Sequence, residues 1–176
     1  MLNGDFAGMS EAVLDAGPLI HLAELEALDT LMDFSALFVP MAAKEEVECY
    51  EPRAMNHPDL SLQYVFAPLP PPSLVAMGRA LALDKGEMEA LSLIDLHPKA
   101  IFLTDDSAAR LAAEHRGIKA HGTIGILIRS VRQRHRTERD IIDLLRDLPS
   151  RSTLYIRPSL LAEIIRALEE EWKLVP

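Results

Sequence analysis

Two apolar runs in this chain end in carboxylates. Val13-Leu14 runs into Asp15 and then breaks at Gly17-Pro18, and Ala100-Ile101-Phe102-Leu103-Thr104 runs into Asp105-Asp106. A buried carboxylate is costly unless it is hydrogen-bonded, paired with a cation or bound to a metal. Two helical acids can join them. Glu46 shares a face with Ala43, Val47 and Tyr50, whereas Glu45 points about 100° away. Glu87 falls in the gap bounded by Ala90, Leu91 and Ile94, and Glu89 sits less centrally, between Leu93 and Leu96.

Taken singly, each acid has a structural explanation. Asp15 and Asp106 can cap the helices that follow them, and Glu87 can complete a capping box with Asp84. Taken together, two strand-end acids and two inward helical acids would repel one another without a cation. Oxygen donors with no cysteine or histidine cluster favour Mg²⁺ or Mn²⁺ over zinc. Two such ions about 3.5–4 Å apart would suit phosphodiester hydrolysis.

The elements that must carry these acids alternate. A short strand over 12–14 precedes an amphipathic helix from Leu19 to Met32, and the run 36–39 is a buried strand stopped by Pro40. A helix covers Met41 to about Tyr50. Residues 51–72 form a long Pro-rich connection, with Leu60 to Phe66 as an edge strand or added hairpin. Helices follow at 73–83 and 87–96, then a strand at 100–104, a helix at 107–115, a strand at 118–121 and a helix at 124–135. Amphipathic segments over 138–148 and 158–172 complete the chain.

This alternation predicts a three-layer α/β/α sandwich with a mostly parallel sheet. Ligands of such sheets bind beyond the carboxyl ends of the strands, where strand order reverses. If the four strands lie in the order 2-1-3-4, the strands ending at Asp15 and Asp105-Asp106 are neighbours and their carboxylates converge. The expected organisation is one domain over 1–135 with a helical extension over 136–176 packed on it.

The 176 residues are 49% hydrophobic, enough for a full core. No run approaches the roughly 18 apolar residues of a membrane span, and Met1 to Asp5 lack a basic leader pattern, so a soluble cytoplasmic protein is expected. The lone Cys49 excludes an internal disulfide. A net charge of −9 argues against indiscriminate nucleic-acid binding, but the charge is uneven. Residues 1–109 carry a balance of −13 and residues 110–157 one of +6. A carboxylate site beside a phosphate-binding surface is one reading, and a solvated basic helix is the other.

The ordered set Asp15-Ala16-Gly17-Pro18-Leu19-Ile20, Val39-Pro40 with Glu46-Val47, Gly86-Glu87-Met88-Glu89-Ala90-Leu91, Leu103-Thr104-Asp105-Asp106 with Ala109-Arg110, and Gly122-Thr123-Ile124-Gly125 resembles PIN domains. The likeness covers roughly residues 12–135 and is nearest the prokaryotic branch similar to toxin ribonucleases (VapC-like). The resemblance implies an α/β/α fold, a Mg²⁺- or Mn²⁺-dependent endoribonuclease acting on RNA, and a homodimer inhibited by a small antitoxin. It also implies Asp15, Glu46, Glu87 (or Glu89) and either Asp105 or Asp106 as catalytic and metal-ligating acids. One position departs: many PIN domains carry Ser or Thr two residues after the first Asp, and here Gly17 offers no hydroxyl.

Arg129 and Arg132 share a helical face and are candidates for substrate phosphate. His21, His115, His121 and His135 read as packing or surface residues. Two rival readings remain: a PIN-like binding or protein-interaction module without turnover, and a phosphoryl-accepting receiver domain. The second lacks a lysine at a later strand end, since Lys119 lies near the start of its strand.

Overall fold

The computed structural model describes residues 10–174; the leader expectation at Met1–Asp5 lies outside them. A five-stranded, wholly parallel sheet forms the centre, in the order β3-β2-β1-β4-β5. Its strands are β1 (Glu11–Leu14), β2 (Ala36–Pro40), β3 (Leu62–Val65), β4 (Ile101–Leu103) and β5 (Ala120–His121). The helices are α1 (Ala16–Glu24), α2 (Met41–Tyr50), α3 (Pro72–Leu81), α4 (Lys85–Ile94), α5 (Ser107–His115), α6 (Thr123–Arg132), α7 (Glu138–Arg151) and α8 (Pro158–Glu171).

Alternation along the strands sorts their side chains into two cores. Ala12, Leu14, Leu37, Val39, Ile101 and Leu103 face one layer with Leu19 and Leu22 of α1, Ile126 of α6 and Ile141 of α7. Val13, Phe38 and Phe102 face the other, with Leu91 of α4 and Ala109 of α5. The sandwich is therefore the expected three-layer one. Leu161 and Leu168 of α8 join the first core. No helix among the described residues is long and apolar enough to cross a membrane.

One local expectation changes, and one is decided between its alternatives. The helix predicted from Leu19 to Met32 starts at Ala16 and stops at Glu24. There the Ala27 amide donates to Leu22 O and the Glu26 amide to Ala23 O, with Glu26 in the left-handed region at φ 54°. This is a Schellman stop. A 3₁₀ turn over Leu28–Leu31 follows, so Leu25, Leu28 and Leu31 all stay buried although the helix has ended. The segment 60–66 makes no hairpin: β3 adds to β2 as a parallel edge strand, with Gln63 opposite Phe38.

The order places β1 beside β4, with Val13 opposite Phe102 and Leu14 opposite Leu103. Asp15 and Thr104 are thus the first residues past the carboxyl ends of two adjacent strands. The Asp15 amide extends the ladder by donating to Leu103 O at 2.9 Å.

Candidate active site

Asp15 stands where β1 gives way to α1, yet its carboxylate makes no side-chain cap of that helix. Instead Thr104 Oγ1 donates to Asp15 Oδ2 at 3.1 Å, and the Asp106 amide donates to the same hydroxyl at 3.2 Å. Asp15 is 8% exposed. Burial pushes its pKa from 3.8 up to about 6, against hydrogen bonds from Ala16 and Thr104, and the nearby Asp84 and Glu46 charges add to the rise.

Glu87, also 8% exposed, enters from the first turn of α4. The predicted capping box is present: the Glu87 amide donates to Asp84 Oδ1 and the Asp84 amide to Glu87 Oε2, both at 2.8 Å. Burial nevertheless lifts Glu87 to about 7, with Asp84, Asp106 and Asp15 contributing repulsion. The acid of the other capping box, Asp140 in α7, is exposed and held below its ordinary value by its hydrogen bonds with Thr137, so the rise at Glu87 comes from burial among other acids. Glu89 faces elsewhere, its Oε2 accepting from the Ala42 amide at 2.9 Å and so tying α4 to the start of α2.

Glu46 lies at the rim. Ala43 and Val47 turn inward, whereas Glu46 is exposed, as is Tyr50, which had been expected on the inward face. Desolvation and the Asp84 charge still raise the Glu46 pKa.

The adjacent acids after β4 divide their work. Asp105 accepts from His21 Nδ1 at 2.8 Å, from the Thr123 amide at 2.7 Å and from Thr123 Oγ1 at 2.6 Å. Burial would raise its pKa, but these donors outweigh it and hold the carboxyl below its ordinary value. Asp106 caps α5, its Oδ1 accepting from the Ala109 amide at 2.8 Å, and it is the one of the pair whose charge reaches Glu87. Gly122 makes the Asp105 arrangement possible: a Cβ there would stand 2.7 Å from Asp105 Oδ1.

Three residues were missed or misplaced by sequence reasoning. Asp84 is a fourth partner of Asp15, Glu46 and Glu87, but its capping-box pattern had already accounted for it. His21, which the sequence leaves as a packing or surface residue, holds Asp105; its position one helical turn after Gly17 is the available signal. Arg129, expected to meet phosphate, is 5% exposed, ion-paired with Asp33 and seated 4.2 Å over the Phe34 ring. A guanidinium so enclosed is not presented to a substrate. Arg132, on the same helix, is exposed.

The open position at Gly17 has a similar explanation. A Cβ there would make ordinary contacts, 3.6 Å from Asp105 Oδ2 and 3.7 Å from His21 Cε1. The hydroxyl that holds Asp15 comes from Thr104, across the sheet. Among the described residues no three carboxylate, imidazole or thiol groups are grouped so as to hold a metal ion as they stand. Asp84, Glu87 and Asp106 are each turned toward a backbone amide.

A parallel α/β/α sandwich that brings buried and rim carboxylates together beyond its central strands belongs to the class of α/β domains with an acidic strand-end site. Within that class, the family model for the PIN domain matches residues 11–170, and the chain belongs to the PIN-domain family, whose members are generally nucleases that use divalent metals. The match runs past residue 135 and takes in α7 and nearly all of α8. No curated protein matches the chain.

Proposed function

We propose that the protein is a Mg²⁺- or Mn²⁺-dependent endoribonuclease that hydrolyses RNA phosphodiester bonds. The observation carrying this reading is the pair of buried carboxylates, Asp15 and Glu87, pushed up to about 6 and about 7 beside Asp84, Glu46 and Asp106. Displaced values of this kind gather at functional sites.

The donor set fits a hard divalent cation, being all carboxylate oxygen. Asp15 and Glu87 would hold it directly, with Asp84, Glu46 and Asp106 reaching it by side-chain rotation or through water, since Mg²⁺ keeps several waters and takes only one or two carboxylates. When bound, the ion would polarise the phosphodiester and lower the pKa of water. Thr104 orients Asp15, and His21 with Thr123 fixes Asp105 beside it. Arg110 brings positive charge to the same edge, its Nη2 donating to Thr104 O at 3.2 Å.

The test is Mn²⁺-stimulated cleavage of single-stranded RNA by wild type and by Asp15→Asn. Cleavage lost in the variant is expected; cleavage retained there overturns the reading. The particular setting proposed is the toxin of a toxin–antitoxin pair, supported by the VapC-like motif order and tested by growth arrest on induction that Asp15→Asn relieves.

A second reading, a PIN-like nucleic-acid-binding or protein-interaction module without turnover, is favoured by the engagement of Asp84, Glu87 and Asp106 with helix-start amides. Calorimetry that registers no Mn²⁺ binding would select it.

A further inference from the structure

A groove of about 610 Å³ runs from Asp105 between α6 and the segment joining α7 to α8. Its lining combines Arg110, His121 and Arg157 with apolar Ile128, Leu160 and the ring of Tyr155. Tyr155 is 81% exposed, on a segment fixed to the core through Leu154 and Ile156.

Among the described residues six arginines pair with a carboxylate and seven do not, three of the seven lining this groove or the depression beside it. Arg53, Arg116, Arg129, Arg136, Arg146 and Arg151 each pair with a carboxylate. Arg110, Arg132 and Arg157 make no ion pair among the described residues, and the buried Nε of Arg110 has no hydrogen-bond partner there. Arg132 lies on a second depression that shares His121, Gly125 and Ile128 with the groove. Lys119 and Arg129 add to the positive field, and burial together with these charges keeps His121 below its ordinary pKa. In a chain of net charge −9, such a local positive field attracts an anionic partner.

We propose that this groove seats the single-stranded RNA flanking the scissile bond, with Arg110 and Arg157 meeting phosphates and Tyr155 stacking on a base. This rests on the endoribonuclease reading and extends it from the reacting centre to the strand beside it. A base stacked on an aromatic face is recognised without sequence preference, and guanidiniums track the backbone. Duplex RNA presents no free base face to Tyr155, so the groove selects single strands.

The test is steady-state cleavage, with Mn²⁺, of a fluorescent single-stranded RNA of about twelve nucleotides. Tyr155→Ala is expected to raise KM about tenfold and to change kcat far less, while Tyr155→Phe keeps the wild-type KM. Arg157→Gln is expected to reduce the slope of log kcat/KM against log salt by about 0.7. If wild type cleaves and both Tyr155→Ala and Arg157→Gln match it in KM and salt slope, the groove assignment falls and the endoribonuclease reading stands. If wild type neither binds nor cleaves RNA, both fall. If Tyr155→Ala turns a dimer into a monomer in sedimentation with KM unchanged, the groove belongs to a second copy of the chain and the proposal is overturned.

Discussion

Asp15 and Asp84 face each other across Gly86: a Cβ on that glycine would lie 3.5 Å from Asp15 Oδ1 and 3.4 Å from Asp84 Oδ1. Gly86 is the second residue of α4, so alanine there should favour the helix by about 0.4–1 kcal/mol. Its methyl would also occupy the space between the two carboxylates. Gly86→Ala is therefore expected to keep or raise the melting temperature while cutting RNA cleavage by roughly tenfold to a hundredfold. Thermal melts and initial rates on one preparation check both halves, and undiminished cleavage would show that the gap is not used.

Asp84 has two roles that substitution can separate. Asparagine caps a helix about as well as aspartate, whereas alanine loses about 1 kcal/mol. Asp84→Asn should therefore melt close to wild type, and Asp84→Ala should be less stable. If Asp84 also contributes charge to an ion, both variants bind Mn²⁺ more weakly by calorimetry. Wild-type Mn²⁺ affinity in Asp84→Asn would confine the residue to its cap.

The double role of Asp84 also marks where sequence reasoning stopped. Strand-end carboxylates at Asp15 and Asp105-Asp106 were legible because buried parallel strands are short apolar runs, and a polar residue ends them visibly. The adjacency of β1 and β4 followed from the commonest strand order. A capping box, by contrast, is a complete local explanation for Asp84: helical periodicity turns Glu87 inward, but nothing in Asp84-Lys85-Gly86-Glu87 signals that Asp84 is also set against Asp15. Arg129 failed for a related reason. Helical periodicity gives which residues share a face, but only packing decides that this one meets Asp33 and Phe34. The end of α1 was hidden because the Schellman stop uses Glu26 where glycine is usual.

Burial of Asp15 and Glu87 makes stability depend on pH with a definite sign. Both have folded-state pKa values above their ordinary ones, 3.8 rising to about 6 and 4.5 to about 7. Across this window the folded state holds protons at these two groups that the unfolded chain releases, so their contribution to the unfolding free energy falls as pH rises from about 4 to about 7, and outweighs the opposite contribution of the half-buried His121. The Asp15 shift alone corresponds to roughly 3 kcal/mol. In EDTA, the urea midpoint should therefore drop between pH 4.5 and 7.5. Asp15→Asn should flatten that drop and be the more stable protein at pH 7.5. Saturating Mn²⁺ should restore the wild type most at the higher pH. A pH slope in EDTA that Asp15→Asn leaves unchanged would contradict the buried-acid arrangement.

Asp105 and Asp106 are adjacent in sequence but should respond differently to amidation. Asp105 accepts from three donors, His21 Nδ1, the Thr123 amide and the Thr123 hydroxyl. Asparagine has one acceptor oxygen, and its amide would confront at least one of those N–H groups, so Asp105→Asn should lose about 1–3 kcal/mol. Asp106→Asn retains the cap on Ala109 and should unfold within a few tenths of a kcal/mol of wild type. It removes the negative charge that acts on Glu87, so the Glu87 pKa should fall toward its ordinary value, visible in its carbonyl stretch or carbon chemical shift against pH. If cleavage is lost in the stable Asp106→Asn protein, Asp106 is the acid that serves the site and Asp105 positions it. Equal stability of the two variants would mean that the His21–Asp105–Thr123 network carries no weight in the fold.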